Sequence, residues 1–364
     1  MVKVYLSKGF FLVVTIRDVA KRASVSISTA SRILSNSPKE KYAEETQLKV
    51  LRASVELGYR PNFAARALVS GKTRIIAAVF PRIYDTPFTA LASLQILSGI
   101  EAFCSQNGYH VLLSSPRMHN GSIDSGFTDL LASGYPDGVI VDGHFDVDPI
   151  MKSLNRFGLP TIVLGSYPHP YYLRSDNFLG GKLLMQHMIE LGHRQIGLIG
   201  LPDGKSAAAD LRLAGIKAAC TEQGLDYDAL PRMDGTFSSD SGAAAAEQLI
   251  AANPTLTALV ALNDRMAMGA IRQLQALGYP VPDRISVVGY DDLPQTREFN
   301  PPLTTINQQL ADWGSMAMNM LLELLDGCEP KPVTVSPALI VRQSAAPPND
   351  QFIRGVHDLS GHST

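Results

Sequence analysis

Residues 15–34 read TIRDVAKRASVSISTASRIL, and the class of the N-terminal domain follows from them. Thr15 and Asp18 have the spacing of a capping box, and the apolar residues after them recur at helical intervals. A tight turn comes next, and Ser26 stands where it can cap a second helix from Ile27 to about Leu34. This part of the chain therefore predicts two short helices joined by a turn.

The residues that follow predict a third helix and then a weaker one. The third helix runs from about Glu44 to Leu57, with apolar residues at helical spacing, and Gly58 is a typical C-terminal stop. Pro61 and Asn62 then open an Ala-rich segment that extends to Val69. This segment has too little apolar surface to form a stable helix alone.

Charge is distributed unevenly along the chain. The whole protein has 32 basic and 34 acidic side chains, but residues 1–72 contain 13 basic and 5 acidic ones, a net charge of +8, and residues 73–364 have a net charge of −10. A small helical bundle with an ordinary solvated face would explain the helices alone. The concentrated positive charge favours DNA as a partner, because neutralising phosphates supplies most non-specific affinity. The polar face of the second helix suits the major groove.

From residue 75 onward, short apolar runs alternate with helical stretches, which include Arg212 to Gln223 and Met266 to Leu277. Strands that are apolar on both faces and separated by helices indicate parallel sheets covered on both sides. About 260 residues are too many for one open sheet, so two α/β lobes are expected, with a divide near 174–177 and a ligand cleft between them. The predicted strands are Ile75 to Phe80, His110 to Ser114, Gly138 to Val141, Thr161 to Leu164, Ile196 to Ile199, Ala258 to Leu262 and Ile285 to Val288.

The sequence carries no motif of an enzyme, a metal centre or a membrane protein. Its three cysteines lie more than 100 residues apart and fit a reducing cytosol. It contains no P-loop and no nucleophile elbow, and Asp291-Asp292 has no His or Cys beside it. The apolar run from Gly9 to Val14 is too short to span a bilayer. We therefore expect a cytoplasmic protein with no enzyme activity, no metal, no cofactor and no membrane partner.

Ten blocks of residues follow one another in an order and spacing that match a known family. The blocks are Val14–Ala20, Ser26–Arg32, Gly58–Asn62, Ala65–Leu68, Ser175–Asn177, Leu191–Arg194, Arg212–Gly215, Asn263-Asp264, Val287–Asp292 and Pro302–Ile306. Over about residues 14–347, the chain resembles the lac repressor (LacI/GalR) family of bacterial transcription regulators.

The resemblance implies an N-terminal all-α helix-turn-helix DNA-binding domain followed by a two-lobed α/β core with parallel sheets, of the periplasmic-binding-protein-like type I fold. Residues 14–60 would form the DNA-binding domain, 61–73 a hinge helix or linker, and 74–347 the effector-binding and dimerisation core. Residues 1–13 are interpreted as a leader or a mis-set start, and residues 348–364 as a flexible tail.

The same resemblance implies a homodimer that binds a near-palindromic operator on double-stranded DNA. The segment after Asn62 would become helical only on DNA, with Leu68 of each subunit wedged into the minor groove. Alternatively, Leu68 covers the surface of a lobe. The residues expected to contact DNA are Thr15, Ser26, Ile27, Ser28, Thr29, Ser31, Arg32, Asn62, Ala65, Arg66 and Leu68.

A small metabolite in the interlobe cleft, most often a sugar and sometimes a purine, controls DNA binding in this family. Carboxylates and an arginine can hold vicinal hydroxyls in paired hydrogen bonds, and aromatic rings can cover the apolar face of a sugar. Alternatively, the aspartates cap helices and the phenylalanines belong to the core. The positions expected to face the effector are Pro87, Phe88, Asp142, Arg212, Phe237, Asn263 and Asp291.

One loop and two positions depart from the family pattern, and the loop, from Asn36 to Tyr42, is longer and more charged than usual. Ser24 occupies the helix turn where family members usually have Gly, which should cost under about 2 kcal/mol if the backbone there is left-handed. Gly165 stands where the family often has Asp. The loss of that acceptor bears on which effector binds rather than on whether one binds.

A sugar-binding solute receptor without DNA function is the main alternative, because such receptors share the two-lobed architecture. A receptor of this kind predicts a cleaved signal sequence and no basic helical domain. The sequence contradicts both expectations.

Overall fold

The structure is a computed structural model that describes residues 14–34, 42–59, 71–82, 91–119, 122–144 and 147–349. The chain divides into two compact units, Met1–Thr73 and Arg74–Thr364. Each unit has its own hydrophobic core.

The first unit contains the three predicted helices, α1 (Ile16–Ala23), α2 (Ile27–Leu34) and α3 (Glu44–Leu57). Val19 of α1 and Val50 of α3 are fully buried at its centre. The other buried core residues are small, which lets short helices approach closely: Ala20, Ala23, Ala30 and Ala53. These helices confirm the predicted all-α class of the N-terminal domain.

The first lobe of the second unit is built on a six-stranded parallel sheet. Its strands are β1 (Ile75–Val79), β2 (His110–Ser114), β5 (Gly138–Asp142), β6 (Thr161–Leu164), β7 (Tyr172–Ser175) and β13 (Val333–Val335), in the order β13-β7-β6-β5-β1-β2. A short antiparallel ribbon joins β3 (Met118–His119) to β4 (Ser122–Ile123).

Helices cover both faces of this sheet. They are α4 (Leu91–Asn107), α5 (Ser125–Ala132), α6 (Asp148–Arg156) and α12 (Leu310–Leu325). Ile76 and Ala78 of β1 pack with residues of α4 and α12, whereas Ala77 and Val79 pack with residues of α5 and α6. Successive residues of β1 are therefore buried on opposite faces, as the continuous apolar run predicts.

The second lobe repeats this plan with four parallel strands. They are β8 (Ile196–Gly200), β9 (Arg232–Asp234), β10 (Ala258–Ala261) and β11 (Ser286–Val288), in the order β11-β10-β8-β9. The helices of this lobe are α7 (Asn177–Glu190), α8 (Ala207–Glu222), α9 (Ser239–Ala252), α10 (Asp264–Ala276) and α11 (Gln295–Glu298).

Glycines bring the helices of this lobe together in close pairs. A Cβ atom on Gly215 of α8 would lie 2.0 Å from the Phe178 carbonyl oxygen of α7, and one on Gly269 of α10 would lie 1.9 Å from the Ser239 carbonyl oxygen of α9. The paired helices thus touch backbone to backbone at these points.

The chain passes between the two lobes three times. It leaves the first lobe between β7 and α7, where the sequence places the divide, returns before α12, and crosses again after β13. The last two crossings run beside an antiparallel pair, β12 (Thr305–Asn307) and β14 (Ala338–Ile340). The two lobes and their parallel sheets confirm the predicted fold class.

Two helices begin earlier than predicted because polar residues cap them. Helix α8 starts at Ala207 rather than Arg212, and the Ser206 hydroxyl accepts a hydrogen bond from the Ala209 amide at 3.4 Å. Helix α10 starts at Asp264, after the cap residue Asn263. Within the part of the chain that the structure describes, no helix is both long and apolar enough to cross a membrane.

Candidate functional site

Local hydrogen bonds fix the ends of α1. The Thr15 hydroxyl and amide donate to the Asp18 carboxylate at 2.7 and 2.9 Å, which confirms the capping box. These hydrogen bonds lower the pKa of Asp18 and keep a negative charge at the positive end of the helix dipole. After α1, Ser24 is left-handed, with φ 56° and ψ 43°. A serine therefore holds the turn position that usually favours glycine, at a cost of about 1–2 kcal/mol.

Helix α2 presents a short polar surface to solvent. The Ser26 hydroxyl caps it by accepting a hydrogen bond from the Thr29 amide at 3.0 Å, and Thr29 itself is half-buried. Ala30 is fully buried, which fixes the face that turns inward. The exposed side chains of α2 and its cap are Ser26, Ile27, Ser28, Ser31 and Arg32. Hydroxyls, a guanidinium and one apolar group are the groups that read base edges and thymine methyls.

Some predicted site residues lie outside the described residues. They are Asn62, Ala65, Arg66, Leu68, Pro87 and Phe88. The predicted leader at 1–13, the predicted hinge up to residue 70 and the predicted tail from residue 350 also lie outside them.

In the second unit, Arg212 of α8 is buried, with 5% of its surface exposed. Its Nε atom donates to Oδ1 of Asn177 at 2.8 Å, and Nη1 donates to the Leu262 carbonyl at 2.5 Å. The guanidinium lies 3.7 Å from the centroid of the Tyr290 ring, a contact that contributes about 2 kcal/mol when desolvated. The Nη2 atom lies 3.8 Å from Oδ1 of Asp291. Arg212 is thus held on three sides and directs one nitrogen toward Asp291.

The Asp291-Asp292 turn after β11 sends its two carboxylates in different directions. Both residues have positive φ, 125° and 54°, and each such conformation costs about 1–3 kcal/mol. Asp291 faces Arg212 and accepts a hydrogen bond from Nε2 of Gln308 at 2.7 Å. Asp292 pairs with Arg342. Asp292 therefore stabilises the fold, and Asp291 is the carboxylate that lies beside Arg212.

Asp264 is a second buried carboxyl group beside Asp291. Its Oδ2 accepts a hydrogen bond from the Leu293 amide at 2.8 Å, and its Oδ1 lies 2.5 Å from the Thr305 hydroxyl. Burial and then the charge of Asp291 raise the pKa of Asp264 to about 8. Burial also raises the pKa of Asp291 to about 6, although Arg212 opposes this shift. At neutral pH, Asp264 is therefore mostly a neutral acid and Asp291 is mostly ionised.

In the first lobe, β5 ends at Asp142, and both of its carboxylate oxygens have partners. Oδ1 accepts from the His144 amide at 3.2 Å and lies 2.5 Å from Nδ1 of His144, while Oδ2 accepts from the Ser93 hydroxyl at 3.2 Å. Burial alone would raise the pKa of Asp142 and lower that of His144. The attraction between the two groups outweighs burial, so the pKa of Asp142 is lowered and that of His144 is raised. Each of the two groups therefore favours the charged form of the other.

The charged residues of the second lobe, Arg212 and Asp291, lie close enough to His144 of the first lobe to affect its pKa. With His144 protonated, the array of Arg212, Asp291, His144 and Asp142 contains two cations and two carboxylates, so its charges balance. Fixed donors and acceptors with little net charge can hold an uncharged ligand that carries many hydroxyls.

Two other predicted effector contacts have roles in the fold. Asn263 caps α10: its Oδ1 accepts from the Met266 amide at 2.9 Å, and its Nδ2 donates to the Phe237 carbonyl at 3.2 Å. Phe237 has a φ of 60° and is half-buried against the second-lobe core. The alternative of core packing therefore describes part of the Phe237 side chain, whereas the capping role of Asn263 is one that the sequence analysis offered only for the aspartates.

Comparison with known proteins assigns the chain to a family. Residues 15–62 match the model of bacterial regulatory proteins of the lacI family, and residues 185–345 match a periplasmic binding protein-like domain. The HTH-type transcriptional regulator CelR of Thermobifida fusca is 33% identical over 342 residues, which cover 91% of this chain and 98% of CelR. The chain belongs to the lacI family of bacterial regulatory proteins.

Solved structures of other lacI-family proteins share the fold of this one. A transcriptional regulator CelR–cellobiose complex is 30% identical with a TM-score of 0.68, over 91% of this chain and 99% of that chain. A lac repressor dimer bound to operator and the anti-inducer ONPF is 28% identical with a TM-score of 0.80, over 92% of this chain and 99% of that chain. This lacI-family protein is therefore a DNA-binding transcription regulator rather than a solute receptor, and the proteins it resembles here are regulators rather than enzymes.

Sequence reasoning did not assign three residues of the cleft in this lacI-family protein. His144 follows Asp142 by two positions, Tyr290 precedes Asp291, and Gln308 comes two residues after the block that ends at Ile306. Each lies within two residues of a predicted effector contact or a family block. That closeness in sequence was the signal by which they could have been assigned to the cleft.

Proposed function

We propose that this lacI-family protein is a repressor that binds a near-palindromic operator as a homodimer and is controlled by an uncharged sugar between its lobes. The observation that carries the proposal is the position of Arg212 and Asp291 on one lobe, within electrostatic reach of His144 and Asp142 on the other. A ligand held by both sides favours one arrangement of the lobes over another. Only such differential binding shifts a conformational equilibrium.

The DNA contacts of this proposal lie on α2 and the start of α1. Ser28, Ser31 and Arg32 are exposed on one helix and would read base edges, with Ile27 against a thymine methyl. Thr15, Ser26 and Thr29 would contact phosphates near the helix ends. The family resemblance alone supports a hinge formed by residues 61–73, with DNA contacts from Asn62, Ala65 and Arg66 and a minor-groove wedge at Leu68.

An uncharged sugar is the proposed effector because the charges of the cleft balance and its polar groups come from both lobes. The relative that was solved with cellobiose supports this class of ligand. Phe237 would cover an apolar face of the sugar, and the resemblance adds Pro87 and Phe88 from the first lobe. The proposal assigns no catalytic step to the cleft. Since the operator lies on the bacterial chromosome, the proposal places the protein in the cytoplasm.

Selection from a random duplex library tests the DNA half of the proposal. The full-length protein should enrich a two-fold symmetric motif, and its affinity for that motif should fall steeply with salt because phosphate contacts release counterions. Arg32→Ala should weaken binding to the motif. Failure to enrich any motif at low salt would overturn this half.

Calorimetry tests the effector half. Full-length protein should bind at least one of cellobiose, glucose, galactose and ribose, and should bind adenine more weakly or not at all. Arg212→Met should abolish this binding, whereas Arg272→Met, an exposed arginine of the same lobe, should not change it. Adenine binding without sugar binding would replace the sugar by a purine. Binding of none of these compounds would overturn the effector class.

A further inference from the structure

Hydrogen bonds within the protein occupy the carboxylate of Asp142, which the sequence predicted to contact the effector. Both oxygens of this carboxylate already accept hydrogen bonds, one from Ser93 and the other from His144. Only 12% of the Asp142 side chain is exposed, compared with 25% of the His144 side chain. Asp142 has little capacity left for a ligand, and His144 is the more accessible group.

Gly165 provides the space that His144 occupies. A Cβ atom at Gly165 would lie 3.1 Å from both Cγ and the backbone nitrogen of His144, and the φ of 96° at this position disfavours other residues. Any side chain at this position would therefore push against the His144 loop. The carboxylate that the family resemblance places at position 165 is absent, and an imidazole lies against the same position.

Neighbouring groups fix the orientation of the imidazole ring. Its Nδ1 atom is bonded to Asp142, and the ring lies nearly parallel to the buried Trp313 ring, at 14° and 6.2 Å between centroids. The Trp313 Nε1 atom donates to the carbonyl of Gln308, whose side chain donates to Asp291. The ring thus connects the first-lobe pair to the residues that hold the second-lobe carboxylate.

The remaining ring nitrogen, Nε2 of His144, has no hydrogen-bond partner among the described residues. The Asp142 carboxylate lies against Nδ1 and raises the pKa of His144, and the protonated ring carries its second N–H on Nε2. The charged groups around the ring are Asp142 from β5, Arg212 from α8 and Asp291 from the turn after β11. Nε2–H is therefore a fixed donor in a cleft whose charges balance.

We propose that His144, and not Asp142, is the first-lobe residue that contacts the effector, donating Nε2–H to a hydroxyl or ring oxygen of an uncharged sugar. Asp142 is a positioning residue that orients the ring and supplies its counter-charge. This inference rests on the proposed sugar effector and names the donor that takes the place of the missing acceptor at Gly165. It predicts a ligand specificity that differs from that of family members with Asp there.

A double-mutant cycle on the full-length protein tests the inference by calorimetry with cellobiose, glucose, galactose and ribose. His144→Gln should lower the affinity for the sugar by about 10- to 100-fold, the loss expected when a hydrogen bond from a charged donor is removed. Asp142→Asn should lower the affinity as well. In the double variant, the Asp142 change should add nothing, because its effect passes through His144. His110→Gln, at the start of the edge strand β2 of the same sheet, is the matched control and should bind like wild type.

Nitrogen NMR of histidine-labelled wild-type protein provides a readout that does not depend on the variants folding. Addition of the sugar should shift the Nε2 signal of His144, and Asp142→Asn should lower the pH at which that signal titrates. An unmoved Nε2 signal, wild-type affinity in His144→Gln, or fully additive losses in the double variant would overturn the inference and leave the sugar effector intact. If wild type binds none of the four sugars, the proposed effector and this inference both fail.

Discussion

Replacing Asp264 by Asn gives a test of the buried carboxyl cluster in which the sign and size of the effect follow from the structure. Burial and the charge of Asp291 raise the pKa of Asp264 from 3.8 to about 8. The folded protein therefore keeps a proton that the unfolded chain releases. The stability this proton contributes is complete below about pH 4 and is lost as the pH rises through about 8. Within this window, each pH unit costs about 1.4 kcal/mol.

Asparagine resembles the protonated form of Asp264 but cannot ionise. Its Nδ2 can donate to the Thr305 hydroxyl, while its Oδ1 accepts the hydrogen bond from the Leu293 amide. The free energy of unfolding of Asp264→Asn, minus that of wild type, should therefore increase with pH. Between about pH 5.5 and about pH 7.5, we expect an increase of about 2–3 kcal/mol.

Urea unfolding followed by circular dichroism at a series of pH values measures this difference. Asp283→Asn removes an exposed carboxylate of the same lobe and is the matched control, which should change the free energy of unfolding by no more than about 0.5 kcal/mol. If Asp264→Asn and wild type give parallel pH profiles, Asp264 is already ionised in the folded protein, and the reasoning is refuted.

Three further substitutions test other parts of the structure. Gly215→Ala should force α7 and α8 apart at the Phe178 carbonyl and lower the free energy of unfolding by about 1–3 kcal/mol; an unchanged urea midpoint would contradict the backbone contact. Arg342→Met leaves the buried Asp292 without its closest cation and should lower the free energy of unfolding by about 3–5 kcal/mol in the same assay. A loss of under about 1 kcal/mol, as for an exposed ion pair, would contradict the burial of this pair. Arg32→Ala should weaken operator binding measured by fluorescence anisotropy by about 5- to 150-fold, and equal losses on operator and random DNA would assign Arg32 to a phosphate instead.

Local patterns in the sequence were sufficient to predict the three helices of the first unit and seven strands of the second, but not strands such as β7, β9, β12, β13 and β14. The capping box at Thr15 and the apolar spacing in α3 depend on residues a few positions apart, so they can be recognised without knowledge of the fold. Most of the predicted strands were recognisable for the same reason, since β1, β5, β6, β8, β10 and β11 are short apolar runs buried on both faces. Helix starts were less accurate where a cap lay ahead of the apolar pattern, as at Ser206.

The roles of side chains in the cleft could not be predicted in the same way, because their partners are distant in sequence. Ser93 lies 49 residues before Asp142. Its hydroxyl donates a hydrogen bond to Oδ2 of Asp142, a carboxylate that the sequence predicted to contact the effector. Asn177 and Arg212 are 35 residues apart, so the bond that holds the guanidinium has no local signal. Asn263 is different: it directly precedes a helix, and its capping role was recognisable from its position.

The close helix pairs of the second lobe have a mechanical consequence. Packed helices usually slide past each other by readjusting the side chains between them. Where Gly215 and Gly269 bring backbone against backbone, no deformable layer remains to be readjusted. If the proposed effector closes the cleft, this lobe should then rotate as a single rigid body. The change in backbone angles would occur in the three segments that connect the lobes. The strain created by ligand capture is therefore concentrated in a few peptide units rather than dissipated through the lobe.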